Sequence, residues 1–300
     1  MEDGARLAIQ APATFVPVAL RQVRRLSSAD LELLARLAPG LTAGELGRDP
    51  AAVDRLLEAP ATYRRLFGGA QAEPFVFVSP VLVFSVLVAR ARRELLEASY
   101  VDEWMAPGRR VPVFDTAALD EFLADAEHRV FLAELLASYT RVASGSVWTR
   151  TARGWRRVPY SELDPVRLAE LAELAGPGER TTVLRRLGDL ALFLSGVFPD
   201  HAAARPLAAR QLARIQRQLM AAGDGVRGLG DLAAAGGGQA PILTLEWMGR
   251  SAYRAARQLA AAGSDLLPGD IVDRFASARR VLNFITDRHL FPTRERWFGG

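Results

Sequence analysis

The spacing of apolar residues along this chain is typical of helices. Apolar side chains recur every three or four positions in several segments, among them Val183, Leu187, Leu190 and Leu194. This period places the apolar side chains on one helix face, where they can pack against a core. The same period predicts one long helix from Thr116 to about Val142 and another from Arg205 to Ala222. The pattern therefore predicts an all-α or mainly α protein with a multi-helix, bundle-like body.

One segment departs from the helical pattern. Ser146–Thr151 and Trp155–Tyr160 alternate between apolar and polar residues on either side of Ala152-Arg153-Gly154. Two alternating runs joined by a short segment that contains glycine are typical of a β-hairpin. The sequence therefore predicts one short hairpin near 146–160.

The domain organisation is predicted to be a single helical domain over residues 1–300. A glycine-rich connection, Gly223–Gly238, is the best candidate for a boundary inside it. The possible subdivision is an N-terminal helical cap (1–70), a central helical body with the hairpin (71–222) and a group of C-terminal helices (241–300).

The strongest apolar stretch, Phe75–Ala89, is too short to span a membrane as a helix. It has about 15 residues, is interrupted by Ser79-Pro80, and falls below the ~20 residues that a bilayer requires. Serine before a helix and proline at its first position instead predict a buried helix that begins at Pro80 and ends near Ser99. The first ten residues also lack the apolar run of a signal peptide. We therefore expect no membrane span and a cytoplasmic location.

Composition removes several classes of chemistry. The chain has no cysteine and no lysine, so all 38 basic residues are arginine, and only three residues are histidine. Thiolate nucleophiles, cysteine metal sites, Schiff-base lysines and the P-loop lysine are therefore excluded. The alanine, arginine and leucine bias is typical of a high-GC genome. The net charge of +4 permits an anionic partner without requiring one.

The predicted hairpin interleaves arginine with aromatic residues. Its four arginines are interleaved with Trp148, Trp155 and Tyr160. The candidate contact surface consists of Arg150, Arg153, Trp155, Arg156 and Arg157. Guanidinium groups bind phosphates and carboxylates, and aromatic rings offer stacking faces for nucleic-acid bases. The alternative is cross-strand packing of arginine on tryptophan, with the charged heads in solvent. We prefer this alternative to nucleic-acid contact, because four arginines are few for a nucleic-acid binder.

A second basic feature lies on the predicted helix that begins at Arg205. Arg210, Arg214 and Arg217 share one face beside the apolar residues Leu212, Ile215 and Leu219. This arginine stripe could extend the binding surface of the hairpin. Its alternative is a solvated helix face.

Two patterns suggest catalysis. Asp125-x-x-His128, one turn after Glu121, is a possible metal-binding pair on a helix, but a second copy is missing and a surface ion pair is the default. Ser195, Asp200 and His201 are the residue types of a hydrolase triad but lack a nucleophile elbow.

A loose dinucleotide-binding fingerprint, Gly228-x-Gly230-x-x-Ala233, follows a helix rather than a strand and is discounted. No cofactor or metal is expected.

Gly188 and Asp189 lie inside the predicted helix Thr182–Leu194. Glycine within a helix costs about 1 kcal/mol relative to alanine, so Gly188 should have a packing reason. Asp189 lies near the apolar stripe, and a buried carboxylate needs a partner. We expect that partner to be an arginine or Tyr253.

Three segments, LRRLGDLALFLSGVFPDH, EWMGRSAYRAARQLA and VLNFITDR, resemble an uncharacterised helical protein family of high-GC bacteria. The resemblance covers roughly the C-terminal 120 residues. It implies no activity, ligand or catalytic residue. It does imply that Gly188-Asp189, Ser195-Gly196 and Gly249-x-x-Ala252-Tyr253 are structural signatures.

These observations favour a non-enzymatic helical protein of regulatory or adaptor type. It would bind a protein partner or a small anionic ligand, with the arginine-rich hairpin as contact surface. The alternative is a nucleic-acid-binding protein that uses the hairpin together with Arg210, Arg214 and Arg217. A second alternative is a helical metalloenzyme or hydrolase built around Asp125 and His128 or around Asp189 and Ser195.

Overall fold

The structure, a computed structural model, describes residues 18–68, 77–142, 144–151, 154–221, 237–260 and 267–293. Helices dominate these residues, which confirms the predicted mainly α class. In chain order the helices are α1 (Val18–Arg25), α2 (Ser28–Arg36), α3 (Ala43–Leu46), α4 (Pro50–Glu58), α5 (Pro60–Phe67), α6 (Pro80–Glu97), α7 (Thr116–Ala124), α8 (Ala126–Ser138), α9 (Pro165–Leu174), α10 (Pro177–Val197), α11 (Pro199–Ala204), α12 (Ala209–Ala221), α13 (Ala240–Leu259) and α14 (Phe275–Ile285). The strands are β1 (Val101–Ala106), β2 (Arg109–Val113), β3 (Ser144–Thr151) and β4 (Gly154–Ser161).

The chain divides into two compact units. The first combines residues from Val142–Ser195 and Asp200–Phe275, and the second combines residues from Val16–Arg141, Gly196–Pro199 and Ala276–Gly300. Both units therefore join segments that are distant in sequence, whereas the predicted subdivision follows the chain in order. The predicted glycine-rich boundary falls mostly on residues 222–236, which lie outside the described residues.

Helix α6 begins at Ser79-Pro80, as predicted. The Ser79 hydroxyl accepts a hydrogen bond from the backbone N–H of Leu82, and Pro80 occupies the first helical position. The first three turns of α6 are buried in the second unit; Leu82, Val86 and Leu87 have no exposed surface. Among the described residues, no helix combines the length and the apolar character that crossing a bilayer requires.

The single long helix predicted from Thr116 to about Val142 is wrong. The backbone of Asp125 is extended (φ −73°, ψ 122°), so the segment forms two helices, α7 and α8. The Asp125 carboxylate accepts a hydrogen bond from the N–H of Glu127 at 2.7 Å, which caps α8. Side-chain capping competes with helix continuation at aspartate, and here it overrides the apolar period. The helical segment also ends at Ser138 rather than near Val142.

The predicted hairpin is present in the first unit. β3 and β4 pair antiparallel, with Trp148 opposite Arg157 and Arg150 opposite Trp155. β4 lies against α9, so this hairpin and α9 belong to the same packed structure.

A second hairpin, β1–β2, lies in the second unit and is not predicted by the sequence analysis. The strands pair antiparallel with Val101 opposite Val113, and the turn contains Gly108 at φ +68°. A positive φ favours glycine, so Pro107-Gly108 is the local signal that could have identified the turn. The alternation of β1 is obscured because Glu103 is a charged residue at a buried position.

Candidate functional site

A groove of about 780 Å³ in the first unit is lined mainly by long polar side chains. Helices α9, α10 and α12 form its walls. The lining residues are Val166, Glu173, Arg180, Arg210, Gln211, Arg214, Arg217 and Gln218. The groove thus presents four guanidinium groups against one carboxylate. An arrangement of this kind concentrates positive potential and favours anions.

Helix α12 supplies most of this lining because it is amphipathic. Ile215 and Leu219 are buried, as the predicted apolar stripe requires. The arginine stripe Arg210, Arg214 and Arg217 lies in the groove wall. The structure therefore brings these three predicted site residues together.

Helix α9 fixes the middle arginine of the stripe. Glu170, which is buried, accepts from Arg214 Nη1 at 2.6 Å and from Arg167 Nη1 at 2.8 Å. The Asp164 carboxylate caps α9 by accepting from the N–H groups of Val166 and Arg167. Arg214 therefore has a carboxylate partner within the protein, which it shares with Arg167.

The other three groove arginines differ from Arg214. Within the described part of the chain, Arg180, Arg210 and Arg217 form no ion pair with a carboxylate. The Nε of Arg180 is also buried without a hydrogen-bond partner among these residues. Arg180 lies in the first turn of α10, where the helix dipole adds positive potential. These three guanidinium groups are the ones that an anion could engage.

Two glutamines extend the donor set. The Gln211 side-chain carbonyl accepts from the N–H of Ala208 at 2.8 Å, which leaves its amide N–H groups as donors. Gln218 lines the groove one heptad further along α12. Sequence reasoning missed Gln211, Gln218, Arg180, Glu173 and Val166.

The hairpin residues of the predicted site are placed in part. Arg150, Trp155, Arg156 and Arg157 lie on β3 and β4, in the same unit as the groove. Arg153 lies outside the described residues, as does the discounted glycine fingerprint at residues 228–233.

The prediction that Asp125 and His128 lie on one continuous helix face is wrong, because Asp125 caps α8. His128 is buried, stacks on the Phe122 ring with 4.1 Å between centroids, and bonds to the Phe122 carbonyl through Nδ1. Within the described residues, no group of three or more histidine, aspartate and glutamate side chains that could hold a metal ion occurs.

The residues of the hydrolase hypothesis have structural contacts. Ser195 is fully buried, and its hydroxyl donates to the Ala191 carbonyl at 2.7 Å. His201 is exposed. Asp189 accepts from the Tyr253 hydroxyl at 2.8 Å and lies 3.7 Å from the Arg185 Nε, so the predicted partners of this buried carboxylate are confirmed.

A cluster of titratable residues in the second unit joins α5 and α6 to a π-helical turn, Thr286–Leu290. The Nδ1 atom of His289 lies 3.3 Å from the Tyr63 hydroxyl oxygen, and its Nε2 atom lies 3.2 Å from a carboxylate oxygen of Glu94. Arg90 donates to the other oxygen of Glu94 at 2.6 Å. Burial raises the pKa of Glu94, but the bonds and charges of His289 and Arg90 outweigh burial and hold the pKa below 4.5.

Glu94 should therefore make stability depend on pH in acid. The pKa of Glu94 is lower in the folded state than in the unfolded state, so ionised Glu94 stabilises the fold at pH values above its unfolded-state pKa. This stabilisation is lost as the pH falls through the folded-state pKa. We expect Glu94→Gln to lower the urea midpoint at neutral pH, with the difference from the parent shrinking as acid protonates Glu94. An equal difference at neutral and acid pH would contradict this assignment.

No protein family, curated protein or solved structure matches the chain. The resemblance to a helical family of high-GC bacteria therefore stays a prediction. The functional assignment rests on the geometry of the chain itself.

Proposed function

We propose that this chain is a non-enzymatic helical protein of regulatory or adaptor type that binds a small anionic ligand in the α9–α10–α12 groove. The observation that carries the proposal is the set Arg180, Arg210 and Arg217, which line one groove without a carboxylate partner among the described residues. The β3–β4 hairpin belongs to the same unit, and we propose it as a further contact surface.

The chemistry of the lining supports an anion. Guanidinium groups form short, charge-assisted hydrogen bonds to phosphate and carboxylate oxygens. Arg180 also lines the groove, so its guanidinium group adds to this donor set. The groove volume of about 780 Å³ lies within the ~300–1,000 Å³ range of ligand pockets.

The first test is removal of the arginines without a carboxylate partner. We expect the double variant Arg210→Ala/Arg217→Ala to weaken pyrophosphate binding at least about 10-fold, because each hydrogen bond to a charged group contributes about 1.5–3 kcal/mol. Isothermal titration calorimetry at constant ionic strength measures the affinity.

The matched control is Arg205→Ala, an exposed arginine that loses the same charge outside the groove lining. It should bind pyrophosphate as the parent does, and circular dichroism should show all variants to be equally helical. A parent that binds no inorganic or organic phosphate would overturn the proposal, and so would equal weakening by Arg205→Ala.

The nucleic-acid alternative draws support from the location of the hairpin. β4 lies against α9, the helix that holds Arg214 through Glu170, so the hairpin and the arginine stripe belong to one unit. This alternative predicts binding to a DNA or RNA oligonucleotide that falls steeply with salt. Binding of an oligonucleotide in preference to pyrophosphate would favour it over the small-ligand proposal.

A further inference from the structure

We propose that the ligand of the groove has two phosphate groups about 10 Å apart, joined by an uncharged polyhydroxyl chain, as in a polyol or sugar bisphosphate. This inference rests on the proposed function and specifies its ligand class. It comes from a repeat within α12 and from the partners of the residues in and around that repeat.

Helix α12 contains the tripeptide Arg-Gln-Leu twice, at residues 210–212 and 217–219. Seven residues rise about 10.5 Å along a helix and return to nearly the same face, with a drift of only ~20°. Leu219 is buried and Leu212 is half-buried, so each leucine anchors its copy against the unit. The preceding Arg and Gln of each copy line the groove. The repeat therefore creates two equivalent donor pairs, one heptad apart.

Each donor pair suits a phosphate group. An arginine offers five N–H donors and a glutamine amide offers two, which exceeds what the two oxygens of a carboxylate can use fully. In the first pair, the Ala208 N–H donates to the side-chain oxygen of Gln211, and this bond directs the amide donors of Gln211 away from the backbone. Neither Arg210 nor Arg217 has a carboxylate partner among the described residues. Both pairs are thus free to receive an anion.

The position between the two pairs has a different electrostatic character. Arg214 lies midway, and Glu170 holds it at 2.6 Å while also accepting from Arg167. Glu173 adds an exposed carboxylate to the same lining. Because two carboxylates offset Arg167 and Arg214 in this middle region, a phosphate there would gain less than at either donor pair. Hydroxyl groups can donate to Glu173 and accept from Arg214.

The distinguishing experiment compares four probes by calorimetry at constant ionic strength: inorganic phosphate, pyrophosphate, a hexitol monophosphate and a hexitol 1,6-bisphosphate. We expect one bisphosphate to bind per chain, about 100-fold more tightly than the monophosphate, since the second phosphate binds intramolecularly. Pyrophosphate should not reach this affinity, because its phosphates cannot span both donor pairs.

Single variants test the two donor pairs separately. Arg210→Ala and Arg217→Ala should each reduce the bisphosphate affinity to that of the monophosphate. Monophosphate affinity should change only about twofold, because one donor pair remains in each variant. Arg205→Ala serves as the control with unchanged affinity. Circular dichroism checks that each variant is folded.

The outcomes separate the two proposals. Equal affinity for monophosphate and bisphosphate, with loss of both in Arg210→Ala/Arg217→Ala, overturns the two-phosphate inference and leaves the anion site in place. Pyrophosphate binding tighter than the bisphosphate also overturns it, in favour of contiguous phosphates. Absence of binding to all four probes overturns both proposals.

Discussion

Replacing Glu103 by alanine should lower the free energy of unfolding by about 3–5 kcal/mol, because it removes the carboxylate from a buried ionic cluster. Glu103 lies on β1 with 5% of its surface exposed. Arg279 Nη2 lies 2.6 Å from one oxygen, and Arg280 Nε lies 2.5 Å from the other. Arg279 is itself 6% exposed, so the variant removes a carboxylate from a buried cation.

Urea unfolding followed by tryptophan fluorescence measures this effect; the signal includes Trp104, which is buried next to Glu103. Asp102→Ala is the control, since Asp102 is exposed on the same strand and should change stability by less than about 0.5 kcal/mol. The double variant Glu103→Ala/Arg279→Ala should lose less stability than the sum of the single changes, because both variants remove the same ion pair. Strict additivity would show that the two residues do not act as a pair.

This cluster also explains why the β1–β2 hairpin is difficult to predict. Sequence patterns assign charged residues to the surface, whereas Glu103 is buried because Arg279 and Arg280 of α14 meet it. These partners are about 176 positions away in sequence. Only the weak local signal of Pro107-Gly108 remains for a sequence-based argument.

Helix starts are more predictable because their contacts are local. Ser79-Pro80 begins α6 as predicted, with its capping hydrogen bond three residues away. At Asp125 two local signals conflict: the apolar period continues, but the carboxylate caps α8. The capped, extended backbone is the observed result, and the period alone could not reveal it.

The candidate site shows the same division. The stripe Arg210, Arg214 and Arg217 follows from helical spacing within α12. Arg180 and Glu173 come from α10 and α9, and nothing in their local sequence indicates that they meet α12. Arg214 differs from the other groove arginines because it pairs with Glu170, and this pairing depends on helix packing.

Gly188 is a case in which local reasoning predicts a packing contact and the structure supplies it. A Cβ atom built on Gly188 would lie 2.4 Å from two ring atoms of Tyr253, which has no exposed surface. The Tyr253 hydroxyl donates to Asp189, so both the ring and the hydroxyl of Tyr253 contact α10. The predicted packing reason for a glycine within this helix is therefore confirmed.

Gly188→Ala should consequently destabilise the protein by about 2 kcal/mol, although alanine is the better helix former. The gain in helix propensity is about 1 kcal/mol, and overpacking a rigid buried ring costs more, typically up to ~3 kcal/mol. Urea unfolding followed by tryptophan fluorescence measures the change; the signal includes Trp247, which lies on α13 with Tyr253.

Gly178→Ala is the matched control on the same helix, because a Cβ atom at Gly178 meets open space. It should leave stability unchanged or raise it slightly, since only the propensity gain remains. The decisive comparison is in a Tyr253→Ala background, kept folded by a stabilising osmolyte. With the ring removed, Gly188→Ala should change sign and become stabilising by up to about 1 kcal/mol. If it destabilised both backgrounds equally, the contact between Gly188 and the Tyr253 ring could not be the cause.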